Sequence, residues 1–115
     1  MLPDLLIWIT YGLGTPDHPK ALSPTTARTQ IERLATAQYG QRGWQCLDRL
    51  IYRESRWNPH AKNGTSSARG LFQLLRLPPD LTPAEQYERG QRYLAHRYQG
   101  APCLALQHSL LRGWY

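Results

Sequence analysis

The chain is poor in acid. Eight Asp and Glu stand against 14 Lys and Arg in 115 residues, for a net charge of +6 and a pI near 9.7. An acidic, solvating segment is excluded, and an anionic partner is implied: nucleic acid, anionic lipid, or an acidic polymer such as a bacterial wall. Cysteine is scarce too. Cys46 and Cys103 are the only two, with no C-x-x-C and no paired histidine spacing, so neither a metal site nor a cofactor is expected. Long apolar runs are missing. Leu2 to Leu13 is apolar but holds Pro3 and Asp4 and has no basic flank. It is too short to span a bilayer and wrongly flanked for a signal peptide. No membrane span is expected, and a role outside the cell would need another means of delivery, such as lysis or packaging in a virus particle. The arginines are spread along the sequence, and no helix-turn-helix, zinc or RNA-binding signature is present, so nucleic acid is not the expected partner.

What is there reads as one small, mainly α domain over residues 23–115, preceded by an apolar arm and linker over residues 1–22. Ser23 and Pro24 form an N-cap and first helical position. The helix they open carries Ile31, Leu34 and Ala35 on one face and meets a terminator at Gly40, with a turn expected over 41–43. A second helix follows from Trp44 to about Trp57. His60 to Ser67 is polar, contains Asn63-Gly64, and reads as an exposed turn: plain solvent loop or one wall of a groove. Gly70 to Leu75 reads as a short helical turn, and Leu77-Pro78-Pro79 breaks the chain. Thr82-Pro83-Ala84-Glu85 is a capping box, opening a helix that ends near Gly100. Tyr87, Gly90, Tyr93, Leu94 and Tyr98 spread over one side of it, as core or as cleft lining. Pro102 starts a last helix to about Arg112.

One position breaks the pattern. Leu47, Leu50, Ile51 and Glu54 sit at i, i+3, i+4 and i+7, an apolar stripe whose last member is a carboxylic acid. An acid on a buried face is either paired, with Arg53, Arg56 or Arg69 as candidates, or it holds its proton to unusually high pH. The second state is what a glycosidase general acid needs. No Asp or Glu occurs from Ser55 to Pro79, and Asp48, six residues earlier, points to another side of the helix. Glycoside hydrolysis normally uses two carboxylates; here one is visible.

The ordered set Arg53-Glu54-Ser55, Trp57-Asn58-Pro59 and Ser66-Ser67-Ala68-Arg69-Gly70-Leu71-Phe72-Gln73 resembles the soluble lytic transglycosylase domain of the goose-type lysozyme superfamily. Trp44 to Leu47, Pro102-Cys103, His108-Ser109 and Gly113-Trp114-Tyr115 resemble the branch found in actinobacterial secreted proteins and phage tail proteins. The resemblance covers about Thr25 to Tyr115 and leaves out the arm, which either pads the core or docks to a partner such as a phage tail or virion protein.

The resemblance implies a small lysozyme-like helical fold, with a cleft between the Glu54 helix and the Tyr93 and His108 helices. It implies a peptidoglycan lytic transglycosylase acting outside the cytoplasm. Glu54 would protonate the oxygen linking N-acetylmuramic acid to N-acetylglucosamine. It would then take the proton of the muramic C6 hydroxyl as that oxygen attacks C1, giving a 1,6-anhydro end. Ser55, Ser66, Ser67, Gly70, Gln73 and Tyr93 are the implied substrate contacts. The wider family carries Ala-Tyr-Asn in the last helix, where this chain has Ala105-Leu106-Gln107-His108-Ser109. Gln107 replaces the asparagine, and His108 is either a cleft residue or an interfacial histidine. Cys46 and Cys103 are free thiols or a bridge by sequence alone; the resemblance implies the bridge, and a bridge implies an oxidising compartment. The same residues would also serve a hydrolytic muramidase or a wall-binding tail component.

Overall fold

Three helices are built around the Glu54 stripe. The computed structural model describes residues 24–115. The arm and linker over 1–22 and the Ser23 cap lie outside the described residues. The helices span Pro24–Ser55 (α1), Pro83–Tyr98 (α2) and Pro102–Arg112 (α3), and no strand forms among the described residues. The domain is mainly α, as its patterning predicts. No described helix is long and apolar enough to cross a membrane.

α1 differs from expectation. Only Gly40 leaves helical geometry, at φ 79° and ψ 177°, and the helix resumes at once, so 41–43 is not a turn. Glycine adopts that left-handed φ without a Cβ penalty. Just beyond the break, Gly43 lies against the Tyr39 side chain, where any Cβ would collide. The second limb therefore starts in contact with the first. Before the break the buried stripe is Ala27, Ile31 and Ala35; Leu34 is 40% exposed rather than part of it. After the break Leu47, Leu50 and Ile51 are wholly buried. They join Leu71, Phe72, Leu94 and Ala105 in one core, and each of the Leu, Ile and Phe side chains contributes about 1.5–3 kcal/mol on burial.

The other boundaries follow local chemistry. Thr82 Oγ1 accepts the Glu85 N–H at 3.1 Å, and Glu85 Oε1 accepts the Thr82 N–H at 2.8 Å. The predicted capping box thus satisfies two otherwise orphan donors. Gln99 and Gly100, both at positive φ, end α2. The Cys46–Cys103 disulfide joins α1 to α3 across 57 residues of sequence, with Cα atoms 5.0 Å apart. In a chain-entropy account a loop of that length is worth about 4 kcal/mol.

Residues 56–82 form an irregular layer held by Gln86. Its buried Oε1 accepts the Leu71 N–H at 2.8 Å, and its Nε2 donates to the carbonyls of Pro59 at 3.1 Å and Leu81 at 3.0 Å. The helical turn expected over 70–75 is a tight reversal instead. Arg69 and Leu74 exchange backbone hydrogen bonds of 3.2 Å, because Gly70 and Gln73 both sit at positive φ. A Cβ on residue 70 would lie 2.6 Å from Gln86 Oε1 and 2.7 Å from Leu77 Cδ2. Glycine is required there for space as well as for φ.

Candidate active site

Glu54 occupies the last turn of α1, where the core face runs out. Arg56 and Trp57 take positive φ immediately afterwards and turn the chain away. Ser55 is buried, its hydroxyl within 2.9 Å of the Leu71 carbonyl and 3.2 Å of Ile51's; it fastens α1 to the irregular layer rather than facing solvent. The arginines that could have paired with Glu54 do not. Arg53 turns to α3, donating to Ser109 Oγ at 2.9 Å and to the Ser109 carbonyl at 3.0 Å. Arg56 lies over the Tyr52 ring. Among the described residues Glu54 has neither an ion pair nor a hydrogen bond. Burial raises its pKa above the ordinary carboxylate value, and the nearby Arg53 charge only partly opposes this.

Glu54 opens onto a cleft of about 660 Å³. One wall is the reversal from Gln73 to Leu77, another is the side of α2 from Arg89 to Arg97, and the third is Gly113, Trp114 and Tyr115. That third wall is the segment after α3, not α3 itself. Gln73 Nε2 donates to the carbonyls of Gly70 at 2.9 Å and Ala61 at 3.3 Å, so its amide oxygen is what it has left for a ligand. Tyr93 Oη donates to the Tyr115 carbonyl at 2.6 Å, with its ring edge-on to Tyr115 at 5.3 Å. Tyr115 is inserted beneath, 8% exposed, its hydroxyl donating to the Phe72 carbonyl at 2.6 Å. Burial, then the neighbouring Glu54 charge, push this phenol well above its usual range.

Three of the residues implied by resemblance, Glu54, Gln73 and Tyr93, share this cleft. Gly70 lies behind it, shaping the reversal that presents Gln73. Ser66 Oγ accepts the Ala68 N–H at 3.1 Å and Ser67 Oγ the Arg76 N–H at 3.0 Å; both hydroxyls brace their own loop and neither lines the cleft. Gln107 is exposed on α3 and does not line it either. His108 does not line the cleft but contacts Trp114, which does. Its Nδ1 is 2.9 Å from the Trp114 carbonyl and 3.2 Å from Tyr98 Oη. A carbonyl can only accept, so Nδ1 carries the hydrogen.

Sequence reasoning did not place Trp114, Tyr115 or a group of cations in the site. Arg89, Arg92, His96 and Arg97 line the cleft with Arg76. The α2 members, with Tyr93, stand at i, i+3, i+4, i+7 and i+8, a spacing that puts them on one helix face. That periodicity was the available signal; the arginines are dispersed in sequence and gathered in the fold.

The second carboxylate is accounted for elsewhere. Asp48 accepts from Arg28 Nε at 3.2 Å and from an Arg28 terminal nitrogen at 2.8 Å, and from the Trp57 indole at 2.9 Å. Among the described residues, Glu54 is the one side-chain carboxylate lining the cleft, and no group of three or more His, Cys, Asp or Glu lies close enough together to hold a metal. A lone acid that holds its proton above the ordinary carboxylate range, beside a groove with aromatic, amide and cationic walls, can donate a proton to a bound polymer and take one back. The chain matches no family model, no curated protein and no solved structure.

Proposed function

We propose that the cleft is the active site of a peptidoglycan lytic transglycosylase of the lysozyme-like superfamily, with Glu54 as its single general acid and base. The observation that carries this reading is the isolation of Glu54: half-buried, unpaired, with its proton held above the usual carboxylate range and no second side-chain carboxylate among the described residues of the cleft. An intramolecular attack by the muramic C6 hydroxyl needs no second carboxylate to activate water. Glu54 donates its proton to the departing glycosidic oxygen and recovers one from the C6 hydroxyl as the O6–C1 bond forms, so protons balance over the cycle.

Other features support the reading. Gln73 and Tyr93, implied by the sequence resemblance, line the same cleft. The Cys46–Cys103 bridge suits an oxidising, extracytoplasmic setting. The +6 charge suits retention on an anionic wall. Delivery in a phage particle, through the arm over residues 1–22, belongs to the same proposal.

Digestion of purified peptidoglycan, with the released muropeptides weighed by mass spectrometry, tests it. Anhydro-muramic ends from the wild type and none from Glu54→Gln are expected. Reducing ends would make the protein a hydrolytic muramidase. Sedimentation with the wall but no release from either protein would make it a binding component of a tail or virion.

A further inference from the structure

The cations beside Glu54 do not serve it. Burial sets the direction of its pKa and Arg53 supplies the opposing charge; Arg53 faces α3 and is not a lining residue. Four arginines that do line the cleft, Arg76, Arg89, Arg92 and Arg97, therefore need another explanation. Their own partners are few. Arg92 pairs with Glu88 on an exposed surface at 2.9 Å, which is a weak, easily exchanged contact. Arg97 lies over the rings of Tyr93, Tyr98 and Trp114, which fixes the guanidinium without neutralising it. Arg76 and Arg89 have no acidic partner among the described residues.

Their arrangement says what they fit. All four are exposed. On α2 they run from Arg89 to Arg97, eight residues, or roughly 12 Å along the axis. Their helix positions are spread along about two turns of one face rather than gathered at one turn. A row suits several separate anions on a flexible substituent. Guanidinium groups match carboxylates in geometry, each offering paired donors. The same forks match phosphates, so it is the glycan reading of the cleft that selects carboxylates, the anions a peptide-bearing strand carries.

We infer that the arginine row of α2, with Arg76, binds the carboxylates of peptide stems carried by the glycan strand. The inference rests on the glycan reading of the cleft and adds to it a preference: stem-bearing strands over strands stripped of peptide. The muramic ring would lie toward Glu54 and its stem along α2.

The test uses the full chain carrying Glu54→Gln, so that ligands survive, and phosphate-free glycan strands in three forms. One bears intact stems. In another an amidase has removed the stems, leaving the lactyl carboxylates. In the last the stem carboxylates have been converted to amides with carbodiimide and ammonia. Binding is followed by calorimetry at low salt, with and without Arg76→Gln and Arg89→Gln together. Those side chains are exposed, so the fold should survive, and circular dichroism checks it. Intact stems should bind best, and the double substitution should weaken that binding about fivefold. Amidated strands should bind both proteins equally, and the corresponding double Lys variant should recover most of the loss. Equal binding of intact and amidated strands would overturn the inference and leave the glycan reading standing. Equal binding of intact and amidase-treated strands would overturn the assignment to stems. Failure to bind any strand, or tighter binding of DNA, would overturn both readings.

Discussion

Two of the three carboxylates of α1, Asp48 and Glu54, lie six residues apart and are treated in opposite ways. Asp48 is held by three hydrogen bonds from Arg28 and the Trp57 indole. Glu54 has no partner among the described residues and is partly buried against the core. The first arrangement fixes structure: a charge whose acceptor positions are filled ties the N-terminal limb of α1 to the chain just past its C-terminal end. The second raises the pKa of an acid that faces open space. A helix can host both because residues six apart face different ways, so one side bonds to protein and the other borders a cleft.

Exchanging the two groups' roles by mutation gives the sharpest break. Glu54→Gln should lower muropeptide release by about a hundredfold or more, while Asp48→Asn should leave release per folded molecule within about twofold, since it touches no proton transfer. Equal losses in a peptidoglycan digest would erase the distinction. Stability should run the other way. Asp48→Asn weakens three charge-assisted hydrogen bonds and should cost about 1–2 kcal/mol, seen as a lower melting temperature; Trp57→Phe, which removes one of those donors and part of a buried ring packed on Trp44, should cost a comparable amount, about 1–2 kcal/mol.

The smallest effect concerns pH. Glu54 has its folded pKa raised above its unfolded value of about 4.3. The folded state binds the proton more tightly, so this carboxyl's favourable contribution is complete below the unfolded pKa. It is lost as pH rises through the raised folded pKa. Glu54→Gln cannot ionise and should melt slightly higher than wild type near neutral pH, with no advantage below about pH 4. A melting series across that range checks it. On the proposed mechanism, release by the wild type should decline over the same raised window, because Glu54 must hold its proton to act as the acid.

Local chemistry made much of this legible. The Thr82–Glu85 box, Pro102 at the head of α3 and the Leu47–Leu50–Ile51 stripe are settled by neighbours in sequence, and each is where patterning puts it. Gly40 was legible as a break but not as one so brief, because the resumption of α1 depends on Gly43 packing against Tyr39. The reversal at Gly70 depends on Gln86, from another element. Within the site, Glu54 announced itself as an acid on an apolar stripe. The hydroxyls of Ser66 and Ser67 did not reveal that their own loop would use them. Tyr115 carries no local signal: its place beside Glu54 exists only once Phe72 and Tyr93 hold it.

The third wall of the cleft also gives the molecule an optical handle. Trp44 and Trp57 are 2% and 5% exposed, whereas Trp114 is 52% exposed where it borders the cleft. Among the described tryptophans, a neutral collisional quencher such as acrylamide therefore reaches the emission of Trp114 first, and a saccharide seated in the cleft should shield it. With Trp8, outside the described residues, replaced by Phe, the loss of quenching on titration would report cleft occupancy directly. Because it requires no turnover, that fluorescence could separate binding from cleavage in a single cuvette.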